Sequence, residues 1–167
     1  VALAHSIPEG NALMIETPFG RIFHTGDWKL DDRPQIGRPT TAEELTALGD
    51  EGVLAMVCDS TNVFSEGSTG SEGGLRESLR AVIATCEGAV AATSFASNVV
   101  RLRTLAVAAV ANERSVVVAG RAMKRMIDAA IETGVLTDFP GIIAEERARD
   151  IPDRHLLYLL TGSQGEG

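Results

Sequence analysis

The chain has 167 residues, 44% hydrophobic but only 4% aromatic, and its 15 basic against 23 acidic side chains give a formal net charge of −8. That length suits one domain or one domain plus part of another, with Ala, Val, Leu and Ile left to fill the core. The acidic balance argues against a broad basic face for nucleic acid. It confines such contacts to local clusters, of which Arg101-Leu102-Arg103 and Arg121 with Lys124-Arg125 are the candidates.

In chain order, residues 1–30 read as two strands around a turn. Residues 11–17 are mostly apolar, Pro18-Phe19-Gly20 is the turn, and residues 21–25 return as the second strand of a β-hairpin. The return strand stops at Thr25-Gly26-Asp27, which presents the Asp27 carboxylate at a strand end. Upstream, His5 sits in Ala4-His5-Ser6-Ile7-Pro8-Glu9. Imidazole and carboxylate are ligand types for zinc or manganese. Two such residues alone do not make a site, and a turn-capping Asp27 with a surface-loop His5 is the commoner meaning of such a pair. His24 reads as a packed or surface strand histidine rather than a support for a ligand.

Residues 31–39, with Pro34, Gly37 and Pro39, read as a linker. Thr40-Thr41-Ala42-Glu43-Glu44 opens a short helix through Leu48, a hydroxyl followed by acids in the first turn. The continuous apolar run 53–58 predicts a strand buried on both faces, with Cys58 as a small core residue. Residues 64–74 predict a loop, 75–86 a helix, 89–93 a strand, 98–112 a helix and 115–119 a strand. A helix over 122–133 follows, closed by Gly134. Residues 140–152 predict irregular or briefly helical structure, and 155–160 a last strand.

Strand and helix alternate from Val53 onward, which predicts βαβ units: an α/β fold with a parallel, Rossmann-like sheet and flanking helices. Ligands of such sheets collect at the carboxyl ends of the strands. The four ends expected here read Asp59-Ser60-Thr61, Ser94, Gly120-Arg121 and Thr161-Gly162-Ser163. Small hydroxyl, glycine and arginine residues there suit a phosphate-bearing ligand. No GxGxxG or Walker loop occurs, which disfavours a dinucleotide or P-loop site. Cys58 and Cys86 lack CxxC spacing, so no thiolate zinc site is indicated. Without a signal peptide or a long apolar span, the composition points to a cytoplasmic protein with no membrane attachment.

Five motifs in order carry a family resemblance: His5-Ser6-Ile7-Pro8-Glu9, His24-Thr25-Gly26-Asp27-Trp28-Lys29, Asp59-Ser60-Thr61-Asn62, Ser94-Phe95-Ala96-Ser97-Asn98 and Thr161-Gly162-Ser163-Gln164-Gly165-Glu166. Together they resemble bacterial ribonuclease J, of the beta-CASP branch of the metallo-β-lactamase superfamily, over essentially the whole chain as an internal piece. The resemblance implies that residues 1–35 are the end of a metallo-β-lactamase-like region, a hairpin remnant carrying two metal-ligand motifs. Residues 36–167 would then be a truncated beta-CASP domain. It implies that His5 and Asp27 are catalytic metal ligands, Asp27 bridging two zinc ions, with manganese as the alternative metal. It places Asp59, Ser60, Ser94, Ser97, Asn98, Arg101, Ser163, Gln164 and Glu166 at or near an RNA cleft, and the strand-end Arg121 is added to them as an RNA-binding candidate. The implied activity is 5′→3′ exonuclease and endonuclease cleavage of single-stranded RNA by a homodimer or higher homo-oligomer. The family's HxHxDH cluster is not in this sequence, so the chain alone is expected to be inactive. The family's Ile-His-Arg after the fourth motif is Val99-Val100-Arg101 here, which keeps the arginine and loses the imidazole. The competing readings are another metallo-β-lactamase-type hydrolase, or a non-catalytic α/β module binding phosphate or a partner.

Overall fold

Thr17 and Gly20 close the first turn. The Thr17 hydroxyl donates to the Gly20 carbonyl at 2.7 Å and accepts from the Phe19 amide at 3.2 Å. This pairs β1 (Leu13–Thr17) antiparallel with β2 (Gly20–His24), Leu13 opposite His24, as expected. The computed structural model describes residues 1–31, 33–67 and 70–161. They form two compact units, divided between residues 73 and 74.

In the first unit, the stretch before β1 doubles back on itself. The Ala12 amide donates to the Val1 carbonyl at 2.7 Å, and the Leu3 amide to the Gly10 carbonyl at 2.9 Å. The helix expected after residue 40 is α1 (Ala42–Asp50), with the Thr41 hydroxyl capping it by accepting from the Glu44 amide at 3.2 Å. Its Leu45 and Leu48 pack with Met14, Trp28 and Val53 around buried Leu3, Ala12 and Phe23.

The run 53–58 departs from expectation. Only Ala55–Val57 forms a strand, β3, and it pairs parallel with β2 in the order β1-β2-β3 rather than joining the α/β sheet. Leu54, Met56 and Val57 are exposed (65%, 61% and 51%). An unbroken apolar run means burial on both faces only when other elements cover both faces, and this three-residue edge strand has one neighbour. Cys58 is only partly buried, its Sγ accepting from the Trp28 indole N–H at 3.2 Å.

In the second unit the helices are α2 (Leu75–Ala84), α3 (Val99–Val110), α4 (Arg121–Glu132) and the short α5 (Glu145–Ala148). The strands are β4 (Val90–Thr93), β5 (Ser115–Ala119), β6 (Ile142–Ile143) and β7 (Leu156–Leu160). They form one parallel sheet in the order β4-β7-β5-β6. The chain moves outward from β4 through β5 to β6, then returns to insert β7. Right-handed crossovers therefore put α3 and α4 on one face and α5 on the other. The packing agrees. Val116, Val118, Leu157 and Leu159 meet Leu102, Leu105, Met123 and Ile127 on one face. On the other, Val117 and Leu156 meet Ala148, Ile143 and Ile151. This is the parallel α/β sheet with flanking helices read from the sequence. Strand β6 was not foreseen, since two residues are too short to show a period.

Arg114 is buried (5% exposed) and ties this unit together. Its guanidinium donates to the Gly88 carbonyl at 2.7 Å, the Leu156 carbonyl at 3.2 Å, and the Cys86 carbonyl. A cation at the carbonyl end of α2 is also favoured by the helix dipole.

Candidate functional site

In the first unit, three loops that carry singled-out residues are bonded to one another. The Lys29 amide donates to the Ala4 carbonyl at 2.9 Å, which sets the chain around Asp27 beside the chain leading into His5. The His5 loop closes tightly. A Cβ on Gly10 would stand 2.8 Å from the Leu3 carbonyl oxygen and 3.6 Å from the His5 Cβ, so only glycine fits there. Gly26 takes a left-handed φ of 61° next to the Asn11 carbonyl, and this turn exposes Asp27. His24 supports the turn by accepting from the Gly26 amide at its Nδ1, 3.1 Å away.

Asp59 joins the same group of loops. The hydroxyl of buried Thr25 accepts from the Asp59 amide at 3.2 Å and donates to the Gly26 carbonyl at 2.7 Å. The Thr61 hydroxyl and the Thr61 amide, at 3.0 Å, both donate to Asp59 Oδ1. These bonds, helped by the charge of His5, hold the Asp59 carboxyl below its ordinary value of 3.8. Ser60 is exposed. His5 is half-buried, with its Nδ1 3.3 Å from the Ser6 hydroxyl.

An imidazole with carboxylates on neighbouring loops is the right donor chemistry for a borderline or hard divalent cation. Among the described residues, however, no three His, Cys, Asp or Glu side chains converge closely enough to hold one. A zinc site needs three or four protein donors. The donors among the described residues therefore do not close a cation site.

In the second unit, three strand ends meet. The Ser94 amide donates to the Leu160 carbonyl at 3.1 Å, and Gly120 stands 3.7 Å (from its would-be Cβ) from the Thr161 hydroxyl oxygen. Ser94, Thr161 and Gly120-Arg121 thus share the carboxyl edge of the sheet. The fourth expected end, Asp59-Ser60-Thr61, follows β3 and belongs to the other sheet, which corrects the reading of four ends on one sheet. Asn98 caps α3, its Oδ1 accepting from the Arg101 amide at 3.0 Å. Ser97 and Arg101 are half-buried, and Arg121 is exposed. Ser163, Gln164 and Glu166 lie outside the described residues.

Sequence reasoning passed over Thr25, Asp31 and Thr40, all buried polar residues of the first unit. The available signal was position: each stands beside a motif, at a strand end or a turn, where a buried side chain must find hydrogen-bond partners.

Residues 87–167 match the family model described as Ribonuclease J, beta-CASP domain. A protein named Ribonuclease J from Sinorhizobium meliloti is 46% identical over 166 residues, 99% of this chain and 29% of that protein. Another of that name, from Corynebacterium glutamicum, is 42% identical over 99% of this chain and 23% of its own length. A third, from Thermus thermophilus, is 38% identical over 98% of this chain and 29% of its own length. The chain therefore spans under a third of the length of these relatives. Among solved structures, a protein of unknown function from Enterococcus faecalis aligns with a TM-score of 0.61 at 17% identity. It covers 96% of this chain and 40% of that one, a likeness of fold alone.

Proposed function

Since this chain belongs to the ribonuclease J family, matching a stretch from within it, we propose that it is part of a metal-dependent ribonuclease acting on single-stranded RNA. The intact protein hydrolyses phosphodiesters by 5′→3′ exonuclease and endonuclease action, in RNA processing and decay. The observation that carries this reading is the mutual bonding of the His5, Asp27 and Asp59 loops through Ala4, Lys29 and Thr25.

On this reading His5 and Asp27 are two ligands of a two-ion centre, zinc or manganese, completed by residues outside this chain. Asp59 and Ser60 border the same cleft. Ser94, Ser97, Asn98, Arg101 and Arg121 are the RNA-binding candidates, and Ser163, Gln164 and Glu166 belong to a loop near the cleft. Hydroxyl and guanidinium donors suit phosphate oxygens, and confining them to a cleft reconciles RNA binding with a net charge of −8. The domain reading that accompanies this places residues 1–35 in the metallo-β-lactamase-like part and 36–167 in the beta-CASP part. The intact protein is a cytoplasmic homodimer or higher homo-oligomer. Among the described residues, no helix is long and apolar enough to cross a membrane.

The chain by itself is catalytically inactive on this account, because the family's HxHxDH cluster is not in this sequence and the described residues close no donor set. The test assays the chain and its full-length parent protein on 5′-labelled single-stranded RNA with added Zn²⁺ or Mn²⁺. The account expects turnover by the parent, abolished by chelator, and none by the chain. Turnover by the chain alone, or chelator-insensitive turnover by the parent, would overturn it.

A further inference from the structure

Asp31 is buried (5% exposed) in a unit with few fully buried apolar residues, and none of its bonds is to the core. Its Oδ2 pairs with the Lys29 ammonium at 3.1 Å, and its Oδ1 accepts from the Arg33 amide at 3.0 Å. Its backbone carbonyl accepts from the Thr40 amide at 3.3 Å. Burial alone would push this carboxyl up. The Arg33 amide, Lys29 and the Ser71 hydroxyl together hold it below 3.8, so the ionised form is the one the surroundings are built for.

Two routes lead from Asp31 to Ala4, the residue before His5. Along one, Thr40 is fixed by the Asp31 carbonyl, and its buried hydroxyl accepts from the Ala4 amide at 2.6 Å. Along the other, Lys29 is fixed by the Asp31 carboxylate, and its amide donates to the Ala4 carbonyl at 2.9 Å. Both polar groups of the Ala4 peptide are thus tied to Asp31 through one intermediary each. Lys29 lies two residues beyond Asp27, so the second route also fixes the chain that presents that carboxylate. The Lys29 ammonium in addition donates to the Gly70 carbonyl at 3.3 Å, and the Ser71 hydroxyl donates to the Arg33 carbonyl at 2.7 Å. One anchor therefore gathers four loop segments.

We propose that Asp31, acting through Thr40 and Lys29, is a positioning residue that sets the spacing of the His5 loop against the Asp27 loop. The inference rests on the reading of His5 and Asp27 as ligands of one centre. A packing role alone would be met by any buried side chain of similar size, whereas this role requires an acceptor at Thr40 on the first route and an anion at Asp31 on the second.

The test uses the full-length protein with Thr40→Val, Thr40→Ser, Asp31→Asn and His5→Ala. Two quantities are read: kcat and KM on single-stranded RNA, and amide hydrogen exchange at Ala4 in the chelator-treated protein. Partners that orient a ligand typically contribute 10–100-fold, so Thr40→Val should lower kcat by roughly that factor with KM within about twofold. It should also speed exchange at Ala4, and Thr40→Ser should restore both. Asp31→Asn should act in the same direction and keeps the proposal testable if Thr40→Val does not fold. Faster exchange at Ala4 with unchanged kcat would overturn the inference. If His5→Ala itself left kcat unchanged, the ligand reading would fail instead, and the two failures are separable.

Discussion

In residues 74–167, Val116, Val117, Val118, Leu157 and Leu159 are all 0% exposed, sealed between helices on both faces of a four-stranded sheet. In residues 1–73 the three-stranded sheet fully buries Phe23 alone of its large apolar residues. Leu13, Ile15, Met56 and Val57 remain exposed, and Thr25, Asp31 and Thr40 are buried alongside the small apolar cluster of Leu3, Ala12 and Phe23. The contrast separates two ways of ordering a chain. The second unit is held by apolar burial, which is indifferent to charge and direction. The first is held at its loops by directional polar bonds, the kind of constraint that fixes where a ligand side chain stands.

The sharpest way to break the contrast is to remove matched volume from each unit. Leu157→Ala should cost about 2–5 kcal/mol by urea unfolding, while Leu54→Ala, at 65% exposed, should stay within about 0.5 kcal/mol. Equal losses would mean that Leu54, next to β3, is covered in the folded chain. The next effect is polar, inside the apolar unit. Arg114→Met leaves the Cys86, Gly88 and Leu156 carbonyls without this donor, and should cost about 2 kcal/mol or more by the same measurement. A smaller loss, about 1 kcal/mol, is expected for Thr41→Ala, which removes the cap of α1. Thermal unfolding followed by circular dichroism reads it.

The pairing of resemblance with residue chemistry made some of this molecule legible in advance and hid the rest. The hairpin was readable because Pro18 and Gly20 punctuate an apolar run, and α4 because Gly134 closes it with a left-handed φ of 77°. The run 53–58 misled because hydrophobicity records that a strand wants cover, not which sheet it joins. The short β6 carries no period to detect. The nearness of the His5, Asp27 and Asp59 loops depends on hydrogen bonds from Ala4 and Thr25, whose sequence neighbours give no hint of their partners. Family motifs marked those loops, and the bonds that bring them together became visible only in three dimensions.

The subtlest expected effect concerns acid. The Asp31 carboxyl is held below 3.8 in the folded chain, so its contribution to stability is complete above that value and is lost as pH falls through the lower folded-state value. Asp31→Asn should therefore be less stable than the parent sequence at neutral pH, with the gap narrowing below about pH 4. Urea unfolding across pH 2.5–7 (roughly the carboxylate range) reads this, and a gap independent of pH would refute the charged role.

The most direct test of the ligand reading is the metal retained by the full-length protein after dialysis against metal-free buffer, measured by plasma mass spectrometry for the parent sequence, His5→Ala and Asp27→Asn. The account predicts that both variants, still folded by circular dichroism, lose bound zinc or manganese that the parent keeps. Undiminished metal in both would contradict it.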